Sequence, residues 1–165
     1  MEVLDTLVEF LKPWAKFYSK STSAQNVILF AHLAGLLGGG GLAIAADRAI
    51  WKAGAATEEV RARILAEVAA VHRPVIIGLV LAMLSGALMT AADLETYVTS
   101  PVWWGKMGGV AVLLANGARL RSLGGAALRT PGVAPAAWAK FTRSARLSLM
   151  LWFVVVLIGV MLGNI

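Results

Sequence analysis

The sequence contains no cysteine, which excludes disulfides, thiolate metal sites and thiol nucleophiles. Histidine is almost as scarce, with His32 and His72 the whole supply. The nine carboxylates lie almost entirely in segments that flank apolar stretches. That scarcity argues against a conventional hydrolytic site, which needs a nucleophile, a base and an orienting group together. Charge is thin as well. Charged residues make up 15% and apolar residues 59% of the chain, against roughly 25% and 45–50% in soluble domains. A soluble fold of 165 residues has no interior large enough for so much apolar surface, whereas a bilayer accepts it.

What the chain does have is long runs without charge. A membrane-spanning helix needs about 20 mostly apolar residues. Ser21 to Ala46, Pro74 to Ala92 and Leu147 to Ile165 carry no formal charge, and Val98 to Ala118 carries only Lys106. None alternates with period two, and each is too long for a buried strand, so each reads as a helix. The expected fold class is therefore all-α: an integral membrane four-helix bundle over residues 21–165. Its spans fall near residues 24–46, 74–93, 101–120 and 147–164.

Residues 1–20 differ. Val3, Leu4, Leu7, Val8, Leu11, Trp14 and Tyr18 recur at helical spacing, while Glu2, Asp5, Glu9, Lys12 and Lys16 point elsewhere. This pattern predicts an N-terminal interfacial amphipathic helix, anchored by Trp14, Phe17 and Tyr18 and kinked or split at Pro13. Its acidic start, with no basic stretch before the apolar residues, is unlike a signal peptide.

The net charge of +6 comes largely from two loops. Arg48, Lys52, Arg61, Arg63 and Arg73 lie between the first two spans. Arg119, Arg121, Arg129, Lys140, Arg143 and Arg146 lie between the last two. Such clustering reads as membrane topology, and no nucleic-acid partner is expected. The positive-inside rule places both long basic loops in the cytoplasm and both termini outside, in a multi-pass protein of the cell inner membrane. Thr57 followed by Glu58 and Glu59 opens a capped helix that runs on into the second span. The other long loop, with Pro131 and Pro135, is expected to be partly irregular. Tyr97, Trp103 and Trp104 suit an outer aromatic belt, and Trp51 and Trp138 an inner one.

Each span offers small residues four apart: Gly35 and Gly39, then Gly78, Ala82 and Gly86, then Gly105 and Gly109, then Gly159 and Gly163. These allow close backbone approach within the bundle, or contact with other membrane subunits or a second copy of the chain. Ionisable and polar residues inside the hydrocarbon are functional candidates. Here they are His32, Lys106, Asn116 and, at the cytoplasmic start of the second span, His72. At 1.5 Å per helical residue, His32 lies roughly 12 Å and Lys106 about 8 Å below the outer surface. His72 lies on the order of 15–20 Å lower, so His32 and His72 cannot both ligate one haem. Simpler roles stand beside the functional ones. His32 can bond a neighbouring helix, Lys106 can snorkel outward, His72 can sit at the interface, and Asn116 can bridge two helices. Met83 and Met89, roughly 240° apart around one helix, form no common face for copper.

One resemblance runs along most of the chain. Phe30-Ala31-His32-Leu33-Ala34-Gly35 is followed by glycines and Asp47-Arg48. Ser85-Gly86 comes next, then Tyr97, Pro101, Trp104, Lys106 and Met107. Asn116, Leu147-Ser148-Leu149, Trp152 and Gly159 complete the series. Together they resemble an uncharacterised bacterial four-helix membrane family. That family is distantly similar to CopD-type copper-resistance membrane domains and to the four-helix haem-binding protoporphyrinogen oxidase of bacteria. In the oxidase, a histidine early in one helix and a lysine in a Trp-x-x-Lys-like setting are tied to haem b and activity. His32 and Lys106, the latter in Trp103-Trp104-Gly105-Lys106, resemble those two positions. The resemblance implies haem b as cofactor, with His32 as metal ligand and Lys106 as second ligand or propionate partner. A lysine ligand requires the neutral amine. Gly38 to Ala46 departs from the oxidase, which is richer in histidine, tyrosine and arginine there, and this speaks against oxidase activity more than against haem binding. Three functions are carried forward: a haem b-binding redox protein of the outer leaflet, a non-enzymatic accessory subunit of a photosynthetic or respiratory complex, and a copper-handling module.

Overall fold

The computed structural model describes residues 2–129 and 135–163, and every regular element among them is helical. α1 spans Glu2–Lys20 and α2 Thr22–Gly35. π turns over Leu36–Gly40 lead directly into α3, Gly41–Lys52, which ends in a 3₁₀ turn, Ala53–Ala55. α4 is Glu58–Ala92, α5 Leu94–Thr99, α6 Pro101–Arg129 and α7 Pro135–Leu162. Because α2, the π turns and α3 are one continuous rod, the described residues form six helices. The segment around Pro131, expected to be irregular, lies outside the described residues.

Local chemistry sets several of these boundaries. Ser21 has an extended backbone, and its hydroxyl accepts from the Ala24 N–H at 3.2 Å, so it closes α1 and opens α2. Pro13 neither breaks nor splits α1, contrary to expectation. It is exposed, so the helical hydrogen bond it cannot donate is lost on the outside of the helix. Thr57 precedes the first turn of α4, where Glu58 and Glu59 meet the positive end of the helix dipole. α4 then runs unbroken for 35 residues through Pro74. That is roughly 52 Å, well beyond a hydrocarbon core of about 30 Å, so α4 projects out of any bilayer it crosses.

Among the described residues three rods are long and apolar enough to cross a membrane: Thr22–Ala55, Glu58–Ala92 and Ala136–Leu162. α6 is long enough but is diluted by Gly105, Lys106, Gly108, Gly109, Asn116 and Gly117. The accessible surface, 10484 Å², exceeds by about a third the ~7,900 Å² of a soluble monomer of this mass. The excess is apolar. Phe30, Leu37, Ile77, Leu84, Phe153 and Val160 all point outward and are more than 60% exposed. Such a surface belongs against lipid, not water.

The bundle closes through α6 on α7, α7 on α3, and α4 on α2, the π turns and α3. The seam between α4 and α6 is the loosest of the four. The tightest point is where α2 and the π turns cross α4. A Cβ at Gly78 would lie 2.5 Å from the Gly39 backbone, and one at Gly35 would lie 2.6 Å from the Gly78 carbonyl. Only glycine allows that approach. One residue on, Gly40 lies beneath the Trp152 ring, which a Cβ would meet at 2.8 Å.

A second packing centre lies at the far end of α3. Ile50, Ala53, Leu65, Trp138, Phe141 and Ala145 form a buried apolar cluster. Trp138 is only 3% exposed, so it belongs to this core and not to an aromatic belt. The Arg61 guanidinium stacks on the Trp138 ring at 5.2 Å and donates to the carbonyls of Ala53 and Gly54, the open end of the α3 rod. α1 is docked as well. The Trp14 indole N–H donates to the Leu88 carbonyl of α4 at 2.9 Å, while Val3, Leu7, Phe10 and Phe17 face outward.

Gly78→Ala should lower the unfolding free energy by about 1–3 kcal/mol, since backbone on both sides of the crossing cannot yield. Gly41→Ala meets open space and should be neutral or stabilise by about 0.5–1 kcal/mol. Denaturation of the two variants in mild detergent checks the pair.

Candidate functional site

The α2–α4 crossing delivers His32 to its place. Because the backbones touch at Gly35 and Gly78, the ring of His32, one turn earlier on α2, reaches the α4 main chain. His32 Nδ1 lies 2.8 Å from the Ala82 carbonyl oxygen and 3.2 Å from Ser85 Oγ. A carbonyl oxygen only accepts, so Nδ1 carries the proton, and in the neutral ring Nε2 keeps its lone pair. Ser85 is held in turn by the Leu81 carbonyl at 2.6 Å. Gly86 makes room for the ring, since a Cβ there would lie 3.1 Å from His32 Cε1.

Lys106 enters from α6. It is half-buried, and its ammonium lies over Gly159 of α7, where a Cβ would stand 3.6 Å from Nζ. Among the described residues no carboxylate pairs with it. The hydrogen bonds of His32 go to α4, and among the described residues none joins it to Lys106.

The other polar candidates go elsewhere. Asn116 of α6 is buried and clamped to α7: its amide donates to the Ser144 carbonyl at 2.8 Å, and the Ser144 hydroxyl donates back to Asn116 Oδ1 at 2.6 Å. This is the bridge between helices that the sequence allowed. Met83 is 52% exposed and Met89 half-buried, on different sides of α4. Among the described residues no three histidine or carboxylate side chains gather as a metal cage.

One polar residue escaped the sequence reading except as a landmark. Asp47 of α3 is only 5% exposed, with the Ser148 hydroxyl of α7 as its hydrogen-bonding neighbour. The signal was available: Gly40, Ala43, Asp47 and Ile50 repeat at heptad-like spacing, so the carboxylate shares a face with packing residues. Asp47 and His72 line the same cleft, of about 820 Å³, bounded by α3, α4, α6 and α7. His72 is thus a half-buried residue on the wall of this cleft.

Comparison with protein-family models, curated proteins and solved structures finds no match for the chain.

Asn116→Ala should cost about 1 kcal/mol of stability, the usual scale for a hydrogen bond between membrane helices. Ser144→Ala removes the hydroxyl half of the same bridge, so the double variant should fall short of the sum, as read by a double-mutant cycle in detergent.

Proposed function

We propose that this chain is a four-helix protein of the bacterial inner membrane that binds haem b through His32, with Lys106 as second ligand or propionate partner, and serves in electron transfer. One observation carries the reading: His32 Nδ1 is engaged by the Ala82 carbonyl, leaving Nε2 as the available donor. Histidines that hold metals are oriented in this way, through the other ring nitrogen and a backbone carbonyl. The resemblance of His32 and Lys106 to a haem-linked pair adds to it. Bound haem would supply one-electron chemistry. The chain's own contribution is to fix the imidazole tautomer through the α4 main chain and to supply the half-buried Lys106 from α6.

In this reading α6 is the third of four crossing helices, and α1 lies in the outer interface. The basic loops face the cytoplasm and both termini face outward. The cysteine-free sequence makes this easy to test. Single cysteines at exposed Ser19 and Thr96 should react with a membrane-impermeant maleimide on intact spheroplasts. Cysteines at exposed Ala55 and Ala139 should react only after permeabilisation. Thr96 and Ala139 flank α6, so labelling of both from one side would remove α6 as a span.

A second reading, an accessory subunit of a larger membrane complex, draws on α6 itself. Gly105 and Gly108 of this helix, roughly 60° apart around its axis, have open space where a Cβ would project, so another helix can approach closely there.

The haem reading is tested by the absorption of the protein purified in mild detergent from haem-sufficient cells. A Soret band is expected. His32→Asn should abolish it while retaining the fold, because the asparagine amide can replace Nδ1 on the Ala82 carbonyl but offers no Nε2. A colourless wild-type preparation, or an unchanged spectrum in His32→Asn, rejects the proposal.

A further inference from the structure

α1 presents two apolar faces, and the bundle uses one of them. The helix packs on α4 and α2. At about 100° per residue, the half-buried Leu4, Val8, Leu11, Ala15 and Tyr18 share one arc of it. Val3, Leu7, Phe10 and Phe17 share a second arc, roughly 100° further round. These four are 47–79% exposed. Trp14 lies between the two arcs and completes a heptad-like series with the exposed four.

The charges of α1 are all exposed, and they are ordered along it. Glu2, Asp5 and Glu9 fill the first half, Lys12, Lys16 and Lys20 the second. Reversed about its midpoint, between Phe10 and Leu11, the helix maps Glu9 on Lys12, Asp5 on Lys16 and Leu7 on Trp14. Glu2 falls on Lys20 and Val3 on Phe17 to within one position. The helix dipole favours acids in the first turn and bases in the last, which accounts for Glu2, Asp5 and Lys20. It does not extend to Glu9, Lys12 or Lys16. Glu9 and Lys12 pair within the helix at 3.0 Å, out in solvent. Among the described residues Glu2, Asp5, Lys16 and Lys20 form no ion pair.

The acids of α1 cancel its bases, so an anionic lipid surface gains nothing from this pattern. A second copy of α1 does. Two copies in one bilayer share an orientation, and a closed pair is related by a two-fold axis along the membrane normal. That axis turns a helix lying in the membrane surface antiparallel to its mate. Each acidic half then meets a basic half, and flanking charges of this kind set partner and direction in paired helices. We infer that α1 is a dimerisation element, whose exposed apolar face docks antiparallel on α1 of a second copy with Phe10 at the centre. The inference rests on α1 lying in the outer interface, and is independent of whether His32 holds haem. One helix face is smaller than a standard interface, so the pair is governed by the concentration of the protein in its membrane.

The test uses the full chain in native membranes, with single cysteines introduced into the cysteine-free sequence and oxidised to disulfides. Phe10→Cys should form a covalent dimer, because the pair brings its two copies together. Val3→Cys and Phe17→Cys should each stay monomeric alone, their own copies being roughly 20 Å apart, and should link to each other when co-expressed. In the Phe10→Cys background, Lys12→Glu/Lys16→Glu/Lys20→Glu should cut the dimer yield at least about fivefold, through like-charge repulsion. Glu2→Lys/Asp5→Lys/Glu9→Lys should do the same, and co-expression of the two triple variants should restore the yield. All six charges are exposed, so neither triple variant disturbs packing. Failure of Phe10→Cys to link, with cysteines at Ser19 and Thr96 still labelled from outside, overturns the inference and leaves the orientation standing: lipid alone then covers the face. Unchanged yield in the triple variants overturns it as well. Linking of Val3→Cys or Phe17→Cys to itself means parallel helices, which overturns both the inference and the flat placement of α1.

Discussion

The backbone contact between Gly35, Gly39 and Gly78 is the constraint on which the arrangement of this chain depends. Lipid tails are as apolar as leucine, so helices in a bilayer gain little from burying apolar side chains against one another. What remains is close packing, and α2 and α4 approach until no Cβ fits between them. That approach brings the His32 ring to a main-chain carbonyl of the opposite helix. The π turns that follow, Leu36–Gly40, end in three glycines, and Gly40 is left as the floor for the Trp152 ring. The far half of the same rod then packs on α7 as well as α4.

The two ends of the rod are held by different physics. At the α2 end the contacts are glycine on backbone. At the α3 end, where the basic residues cluster, Ile50, Leu65, Trp138 and Phe141 form a core of the kind found in soluble proteins. In the proposed orientation this end reaches cytoplasmic water, where apolar burial recovers its driving force. Arg61 serves both needs, covering the Trp138 ring and satisfying carbonyls at the open end of the rod. Arg146 over the Trp51 ring repeats the pairing on an exposed face.

Tight packing on three seams leaves the fourth open. α6 is clamped to α7 by Asn116 and Ser144, and α4 to α2 by glycine, so neither long helix is free to close on the other. The space between them is therefore a consequence of contacts made elsewhere. Asp47 and His72 are among its lining residues, on helices that are themselves fixed by those contacts.

Hydropathy and period are local properties, and they made much of this legible in advance. The helical class, three of the four expected spans, the amphipathic N-terminal helix and the small-residue pairs all follow from the order of residues. Rotation and neighbourhood are not local. Gly35 and Gly105 look alike in sequence, yet one touches backbone and the other meets open space. Trp138 reads as a belt residue and lies in a core, because α7 presents it to α3 and α4 and not to lipid. Asp47 reads as the edge of a loop and is buried, because a continuous helix carries it inward on the face of Gly40 and Ile50. By itself the sequence determined which segments would be helical and which of them suit lipid, since side-chain transfer energies and helical periodicity need no partner. Which glycines touch, what His32 bonds and which seam stays open were decided only by the tertiary structure, because each depends on the angle at which one rigid helix meets another.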